Sequence, residues 1–394
     1  MSGDTRKPKV FMMDLWATVP YYTAYLSRAL MREGVDVRVG SISYYLDPTC
    51  FSSRGIKLRP GFLDIVGKFN LPRLPRRILK LLESVLNLSA LTVSFLISPP
   101  DIIHVQYLAM VLTPFPVDLW FIQLCRRRCS KIILTVHDLM PHDTGDAHQE
   151  TFRKLYGMVD GIICHSDSIS RRLAVDFSVP EEKIAVIPHG PFFYDLPETE
   201  AEKTRIQSGK LFVLWQGIIF PYKGIDLLLN AWQRVEAKND HAYLMIAGTG
   251  SPELTQQIHQ QIKQLDLKHV ELDLRFVSTE ELVALYRAAD VVVYPYRAIT
   301  TSGALATGLA LGKTIVASNL AVFRELLTDR QNALLVDPQE ASALSSAILE
   351  LCENFSLRDQ LAANVRAMNF GDQSWLLIAE QTKKFYLDIL SRFV

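Results

Sequence analysis

One segment, residues 290–318, constrains the fold of this chain more than any other stretch of the sequence. It begins with the run Val291–Tyr294, which is typical of a strand buried on both faces of a sheet. A small polar loop, Thr300–Gly303, follows, and an Ala/Leu-rich helical pattern then continues to Gly312. The next strand is predicted at Thr314–Ala317. This order of strand, loop, helix and strand predicts an α/β fold with a parallel sheet.

The polar loop before the predicted helix has the composition of a phosphate-binding site. Thr301 and Ser302 provide hydroxyl groups for a helix cap, and Gly303 permits close approach to the backbone. Unpaired N–H groups and the helix dipole attract anions at such a position. Helix starts usually carry Asp or Glu, yet no acidic residue lies between Asp290 and Glu325. The loop therefore predicts a phosphate site, with an ordinary α/β turn as the alternative.

Strands and helices alternate in both halves of the chain. The first half has strand patterns at Val10–Met13, Val35–Val39, Ile102–Val105, Ile132–Val136, Gly161–Cys164 and Ile184–Ile187. The polar stretch Tyr194–Gly209 lacks periodicity and is the predicted linker, after which the alternation restarts. We therefore predict two doubly wound, Rossmann-like domains, 1–195 and 209–375. Ligands of such domains bind at the carboxyl ends of the strands, here facing a central cleft.

Composition excludes several classes of protein. A chain of 394 residues is too long for a single hydrophobic core, which predicts two domains. The 42 basic and 42 acidic side chains balance, which argues against nucleic acid as the main partner. No charge-free apolar run of about 18 residues occurs, so no transmembrane helix is expected. The N-terminus does not resemble a signal peptide, and the five scattered cysteines fit reduced thiols in the cytoplasm.

The loop Gly217–Gly224 is a second candidate for diphosphate binding, because it follows a predicted strand and precedes a predicted helix. Gly217 allows the backbone to approach a ligand, and Lys223 offers an ammonium group beside the helix start. The alternative is a solvated lysine without a ligand.

Polar side chains also follow strands of the first half. His137, Asp138, His142 and Asp143 stand within seven positions after the strand Ile132–Val136. A metal site would need a further ligand cluster, so a sugar-contacting or proton-handling His137 is favoured. A histidine satisfied by local backbone is the alternative.

Asp14 ends the first predicted strand and His189 the last one of the first half. Asp14 could bind an acceptor hydroxyl or act as a base, and capping of the following segment is an equal alternative. His189 is expected to shape the floor between the domains.

Residues 54–80 carry eight basic side chains and one acidic side chain, Asp64, and lead into the largely apolar segment Ile78–Ile97. Basic and apolar neighbours of this kind suit binding to the surface of an anionic bilayer. A solvated loop that leads into a core helix is the alternative.

Taken together, these motifs resemble the GT-B glycosyltransferases, in particular the large retaining family 4. The resemblance covers most of the chain and is carried by ICHSDSISRRL, VIPHG, GIIFPYKGIDLLLNAW, VVVYPYRAITTSGALATGLALGKTIVAS, FREL and NALLVDP. It implies a nucleotide-sugar site in the C-terminal domain and an acceptor site in the N-terminal domain. It also implies that the last helix, 376–394, crosses back to the N-terminal domain.

The resemblance further implies roles for single residues. Lys223 would contact the diphosphate of the donor, and the loop 301–303 would hold its phosphates through N–H groups. His137 would touch the transferred sugar. The full set of candidates is His137, Lys223, Asp14 and Asp138 for catalysis, and Gly217, Lys223, Arg297, Thr301, Ser302, Gly303 and Glu325 for the donor.

The sequence departs from the family pattern at three places. Phe220 stands where related sequences often have arginine, and the paired glutamates of the family fall on Ile299 and Thr307. The loop DLWATVPYY after the first strand lacks the usual glycines. These departures concern the positions that would contact the donor ribose and the transferred sugar in the family pattern.

The expected activity is transfer of a hexose from a nucleotide-diphosphate sugar to a sugar hydroxyl of a lipid-linked acceptor, in the synthesis of a polysaccharide or glycolipid. The enzyme is expected to be independent of metal, without a cofactor, to retain rather than invert, and to lie on the inner face of the cytoplasmic membrane. One alternative is a catalytically silent scaffold that partners an active transferase. Another is a sugar-nucleotide epimerase or hydrolase on the same fold.

Overall fold

The computed structural model describes residues 7–59, 61, 63–69, 71–128, 130–140, 145–196, 210–368 and 370–392. The chain forms two compact units. The first comprises Met1–Gly190 and Ser374–Val394, and the second comprises Pro191–Gln373. Most of the predicted linker, residues 197–209, lies outside the described residues.

The first unit is built on a parallel six-stranded sheet with the order β2-β1-β3-β4-β5-β6. Its strands are β1 (Lys9–Met13), β2 (Asp36–Gly40), β3 (Ile102–Val105), β4 (Lys131–Thr135), β5 (Gly161–Cys164) and β6 (Ile184–Val186). Its helices are α1 (Pro20–Arg32), α2 (Arg73–Ile97), α3 (Val117–Arg127), α4 (Gln149–Met158) and α5 (Asp167–Phe177). Each predicted strand of this half is present, within one residue at either end.

The second unit has another parallel six-stranded sheet, with the order β12-β11-β10-β7-β8-β9. Its strands are β7 (Leu211–Gln216), β8 (Ala242–Ala247), β9 (Val270–Asp273), β10 (Val291–Tyr294), β11 (Thr314–Ser318) and β12 (Leu334–Val336). Its helices are α6 (Ile225–Glu236), α7 (Pro252–Gln264), α8 (Thr279–Ala288), α9 (Gly303–Ala310), α10 (Ala321–Arg324), α11 (Ala341–Glu353) and α12 (Phe355–Ala367). The predicted α/β architecture of two doubly wound domains is confirmed.

The central strands form because their side chains are apolar on both faces. Every residue of β3, β5 and β10 is buried, as helices cover both sides of each sheet. Parallel strands end at the same edge, so the loops after neighbouring strands come together there. In the second unit β10 pairs with both β7 and β11, which places the two candidate phosphate loops at one edge.

The last helix, α13 (Asp372–Ser391), packs on the first unit, as expected. The Trp375 ring stacks on Tyr25 with centroids 5.5 Å apart. The Tyr386 hydroxyl lies 2.6 Å from Nδ1 of His104 in β3, and Lys383 Nζ donates to the carbonyl of Glu33 at 2.7 Å. Aromatic stacking and buried hydrogen bonds therefore join the end of the chain to its beginning.

The structure corrects one expectation about membranes. The stretch Leu74–Ile97 of α2, with mean hydropathy 1.5, is long and apolar enough to cross a membrane by length and composition. This stretch is not free of charge, because it carries Arg76, Arg77, Lys80 and Glu83. Some core helices of soluble proteins pass the same test, and Leu88, Leu91 and Phe95 of α2 do lie in the core of the first unit.

The packing of α13 can be tested at Gly190. A Cβ atom there would lie 2.3 Å from Trp375, so Gly190→Ala should lower the free energy of unfolding by about 1–3 kcal/mol. Gly157→Ala is the matched control, because Gly157 lies in α4 with nothing within 4 Å of its Cβ position. That control should be neutral or slightly stabilising, since alanine favours helices. Equal urea midpoints for both variants would contradict the packing.

Candidate functional site

The loop Gly217–Gly224 after β7 folds tightly onto itself. A Cβ atom on Gly217 would lie 2.8 Å from Nζ of Lys223, so the ammonium group lies against the backbone of Gly217. Trp215 Nε1 donates to the Lys223 carbonyl at 3.4 Å, and the ammonium lies 5.7 Å from the centroid of the buried Tyr296 ring. The absence of a side chain at Gly217 thus gives the ammonium its place at the sheet edge.

Gly224 joins this loop to the segment after β10. Its φ of +68° belongs to the left-handed region, and a Cβ atom would lie 2.0 Å from the carbonyl oxygen of Pro295. The Arg297 N–H donates to the Tyr222 carbonyl at 2.7 Å. The two loops are therefore in direct backbone contact, and α6 begins immediately after Gly224.

Arg297, which the sequence predicts to bind the donor, holds this loop in place in the structure. Its guanidinium makes a bidentate ion pair with Asp226 at 2.8 and 2.6 Å and donates to the Pro221 carbonyl at 2.7 Å. The hydrogen bonds to Asp226 raise the pKa of Arg297. The charge of Arg297 is therefore balanced by the carboxylate of Asp226.

The second candidate phosphate loop has the predicted cap. Ser302 Oγ accepts from the N–H of Leu305 at 3.1 Å, and the first turn of α9 carries no acidic residue. The first N–H groups of a helix lack intrahelical partners, so Gly303 and Ala304 present donors at this end. Thr301 Oγ1 is buried and has no hydrogen-bond partner within the described residues.

Two buried tyrosines anchor the first turn of α9. The hydroxyls of Tyr294 and Tyr286 donate to the Ala304 carbonyl at 2.8 and 3.2 Å. Thr307, which stands at one of the two missing glutamate positions, is buried and donates to the Gly303 carbonyl at 2.8 Å. Glu325 is exposed at the end of α10, which follows the neighbouring strand β11.

In the first unit, His137 lies at the end of β4 among other histidines. Its ring packs edge-on against Tyr22 at 4.7 Å and lies 5.4 Å from the ring of His165. His165 and His189 both contact the same tyrosine ring, at 5.2 and 5.1 Å. Burial and the neighbouring histidines hold the pKa of His137 well below its usual value, so this ring is neutral at pH 7.

The two candidate aspartates differ in their surroundings. Asp138 is exposed beside His137. Asp14 is fully buried and accepts from the N–H groups of Thr18 and Val19 at 2.8 and 3.0 Å, and from the Thr23 hydroxyl at 3.3 Å. Burial raises the pKa of Asp14 to about 6. Both carboxylate oxygens therefore stabilise the start of α1, which is the capping role that the sequence offered as the alternative for Asp14.

His142 and Asp143 lie outside the described residues. Across the described parts of the chain, no group of three His, Cys, Asp or Glu side chains is arranged to hold a metal ion.

A cavity of about 160 Å³ opens beside His137 and Asp138 within the first unit. Apolar side chains from the loop after β3 and from α4 form most of its wall. Its main apolar lining residues are Leu108, Val111, Leu112, Met140, Phe152 and Leu155. The carboxyl end of this sheet therefore combines a neutral imidazole, a carboxylate and an apolar wall.

Comparison with known proteins gives the family. Residues 197–368 match the family described as Glycosyl transferases group 1, and residues 19–190 match Glycosyltransferase Family 4. Anabaena HepE, solved in complex with UDP and glucose, has a TM-score of 0.76 at 17% identity, covering 97% of this chain and 100% of HepE. The chain belongs to the family 4-like glycosyltransferases of the GT-B fold.

Two curated relatives of this glycosyltransferase show how far the similarity extends. An uncharacterized glycosyltransferase of Methanocaldococcus jannaschii is 25% identical over 233 residues, which are 57% of this chain and 59% of that protein. Phosphatidyl-myo-inositol mannosyltransferase of Mycobacterium leprae is 32% identical over 168 residues, which are 42% of this chain and 43% of that protein. The chain thus spans about half the length of these relatives.

Sequence reasoning about this glycosyltransferase missed part of the histidine cluster. His104 and His165 were not predicted as site residues. His104 lies within β3, and His165 is the residue directly after β5. A histidine within or just after each of several parallel strands is a usable signal, since these positions converge in space. Gly217, Lys223 and the loop 301–303 do lie at one sheet edge, whereas Arg297 is turned toward Asp226.

Backbone contact between the two loops of the glycosyltransferase predicts that Gly224→Ala lowers the free energy of unfolding of the second unit. The left-handed φ and the Pro295 carbonyl should together cost at least about 2 kcal/mol. Gly312→Ala is the control, because Gly312 has a φ of +66° but faces the Arg366 side chain, which can move. Chemical denaturation measures both, and a smaller loss at Gly224 than at Gly312 would refute this contact.

Proposed function

We propose that this protein is a hexosyltransferase that moves a hexose from a nucleotide-diphosphate sugar to a sugar hydroxyl of a lipid-linked acceptor. The observation that carries the proposal is the position of Lys223. Its ammonium lies against Gly217 at the sheet edge where α9 also begins. A diphosphate at this edge would meet an ammonium ion and a helix N-terminus free of acidic residues.

The departing diphosphate is where negative charge develops during transfer, so positive groups placed there lower the barrier. Lys223 and the N–H groups of Gly303 and Ala304 supply that charge without a metal ion or cofactor. A charge-assisted hydrogen bond from the ammonium would contribute about 1.5–3 kcal/mol. HepE, whose fold this chain shares, was solved with UDP and glucose, which supports a nucleotide-sugar donor here.

Retention of configuration is the favoured outcome in this proposal. An inverting transferase needs a base that removes the proton of the acceptor hydroxyl. Asp14, one of the two carboxylates considered for that task, is fully buried and caps the start of α1. Asp138 is then the remaining base candidate, and the anomeric configuration of the product distinguishes retention from inversion.

The cavity beside His137 supports an acceptor with an apolar part. A free sugar would be held by polar groups, whereas this wall is mostly Leu, Val, Met and Phe. A neutral His137 at its rim suits hydrogen bonding to a hydroxyl of a sugar at the end of an apolar chain.

Helix α2 supports binding to a membrane surface, because it buries polar side chains and exposes large apolar ones. Glu83, Ser84 and Asn87 point inward, where Glu83 accepts from the N–H of Ile65 at 2.6 Å and Trp16 Nε1 donates to Ser84 at 2.5 Å. A stripe of large apolar side chains faces outward instead. It comprises Leu74, Ile78, Leu82, Leu86, Val93 and Ile97, each more than half exposed.

Neighbouring groups extend this surface. Phe115 and Trp120, before and within α3, are 69% and 51% exposed, and α3 packs against α2. Arg77 and Lys68 are exposed near the start of α2. Apolar and basic side chains on one surface suit the interface of an anionic leaflet, so we place the protein on the cytoplasmic face of the membrane.

A catalytically silent scaffold is the second candidate, favoured by one observation. At the two positions of the family glutamates the chain has Ile299 and a buried Thr307 that bonds within its own helix. Neither side chain replaces a carboxylate. Calorimetric titration with nucleoside diphosphates separates the candidates, because a scaffold of this kind should bind none. Product analysis without acceptor would in turn reveal an epimerase or a hydrolase.

Replacing Lys223 tests the donor site. Lys223→Ala should reduce turnover at least tenfold, because one charge-assisted hydrogen bond to the departing diphosphate is lost. Lys238→Ala, at an exposed lysine after α6, is the control and should leave turnover unchanged. Initial rates with a panel of nucleotide sugars and membrane extract measure both. Wild-type kinetics in a folded Lys223→Ala protein would refute the role of Lys223.

Charges on the apolar stripe test the membrane surface. The double change Leu82→Asp and Leu86→Asp should reduce binding to vesicles with anionic lipid at least tenfold, since burying the exposed half of each leucine contributes about 1 kcal/mol and a buried carboxylate opposes insertion. Val175→Asp, on α5 and 77% exposed, is the control. Co-sedimentation measures binding. Lack of binding by the wild type would instead point to a protein partner for α2.

A further inference from the structure

A buried hydrogen-bond chain runs from β1 and α13 to the ring of His137. The side-chain nitrogen of Gln106 lies 2.9 Å from Met12 Sδ and 3.1 Å from Nε2 of His104. Its side-chain oxygen lies 3.3 Å from Nε2 of His137. His104 in turn contacts Tyr386 through Nδ1 at 2.6 Å. All of these groups belong to the first unit, and Gln106 is 1% exposed.

The sulfur of Met12 fixes which way the amide of Gln106 faces. A thioether sulfur accepts hydrogen bonds and has no proton to donate. The NH2 group of Gln106 must therefore face Met12 and His104, and its carbonyl oxygen must face His137. Reversing the amide would place two acceptors, sulfur and oxygen, against each other in a buried site.

The amide oxygen in turn decides the protonation of the imidazole. An amide oxygen only accepts, so the nitrogen that faces it must carry the proton. In a neutral imidazole the other nitrogen then holds a lone pair. We propose that Gln106 is a positioning residue that holds His137 as the tautomer protonated at Nε2, which leaves Nδ1 to accept a hydrogen bond from a substrate hydroxyl.

The surroundings of His137 keep the ring neutral. The titratable groups packed around it are Tyr22 from α1, His104 from β3, His165 after β5 and His189 after β6, and the exposed Asp138 follows it in the chain. Burial lowers the pKa of these three histidines to about 3 or 4. Each of these three histidines is therefore neutral at pH 7, and burial still holds the pKa of His137 well below its usual value with Asp138 beside it.

The part of this inference that concerns the substrate rests on the proposed function, and the tautomer itself does not. A lone pair at Nδ1 recognises a hydroxyl as a donor and rejects groups that only accept. A sugar with fluorine or a methoxy group at the contacted position would then leave Nδ1 without a partner, which costs affinity in a buried site. The contacted sugar must therefore present a free hydroxyl.

Nitrogen-15 NMR of histidine-labelled protein tests the tautomer without any substrate. The wild type should show a protonated Nε2 and an unprotonated Nδ1 for His137, with the signals assigned by their loss in His137→Asn. Gln106→Leu removes the accepting oxygen, so a mixture of tautomers is expected. Gln123→Leu is the control, because the exposed Gln123 amide contacts Met158 sulfur at 3.7 Å.

Gln106→Glu is the second variant, useful where Gln106→Leu does not fold. A carboxylate at this place favours the imidazolium, so His137 should titrate at a higher pH than in the wild type. Protonation at Nδ1 in the wild type, or the same tautomer and titration in a folded Gln106 variant, would overturn the inference.

Kinetics then separate this inference from the proposed function. Gln106→Leu should lower kcat about tenfold, while the KM for the donor changes little, and Gln106→Glu should shift the acid limb of the pH–rate profile upward. A protein that shows the expected tautomer but transfers no sugar would refute the proposed function and leave the tautomer standing. Sugar transfer by the wild type, together with an unchanged His137 tautomer in a folded Gln106 variant, would support the proposed function and refute the role of Gln106.

Discussion

Close backbone contact between neighbouring loops of the second sheet is the constraint on which the candidate donor site depends. Parallel strands bring the ends of β7 and β10 to one edge, and the loops meet closely because Gly224 lacks a side chain. The Lys223 ammonium occupies the space beside Gly217, and the Pro295 carbonyl occupies the space beside Gly224. Arg297 and Asp226 then fasten the turn between them with two charge-assisted hydrogen bonds. The ammonium is thus held by the fold before any ligand arrives.

In the first unit, helix α2 buries polar side chains and exposes apolar ones. Glu83 and Asn87 of α2 form hydrogen bonds with the backbone of residues 63–66. These hydrogen bonds attach the helix to the rest of the unit, while most of its leucines do not pack against the core. Leaving Leu82 and Leu86 in water is unfavourable by about 1.5–3 kcal/mol for each full side chain. Such exposure is expected where another apolar phase or surface covers the helix.

The strands were predictable from sequence because buried β-branched runs such as Val291–Tyr294 carry their own signal. Ser302 as a helix cap and Lys223 beside Gly217 were also local features. The pairing of Arg297 with Asp226 could not be predicted from sequence, since 71 residues separate the two side chains. The sequence pattern had suggested a ligand as the partner of this arginine. The gathering of His104, His137 and His165 depends on strand order, which spacing does not reveal. The apolar character of α2 was hidden by Lys80 and Glu83, which lie on its inward side.

Each unit, taken by itself, offers groups that fit the proposed sugar transfer. Charge develops on a departing diphosphate, and the second unit offers an ammonium ion and an α9 start without acidic residues. A carboxylate at position 307, one turn into α9, would weaken that positive end, and the neutral Thr307 does not. In the proposed transfer a sugar hydroxyl needs only directed hydrogen bonding, which the neutral imidazole of His137 in the first unit is suited to provide. The absence of carboxylates at positions 299 and 307 is therefore compatible with the proposed diphosphate site at the start of α9.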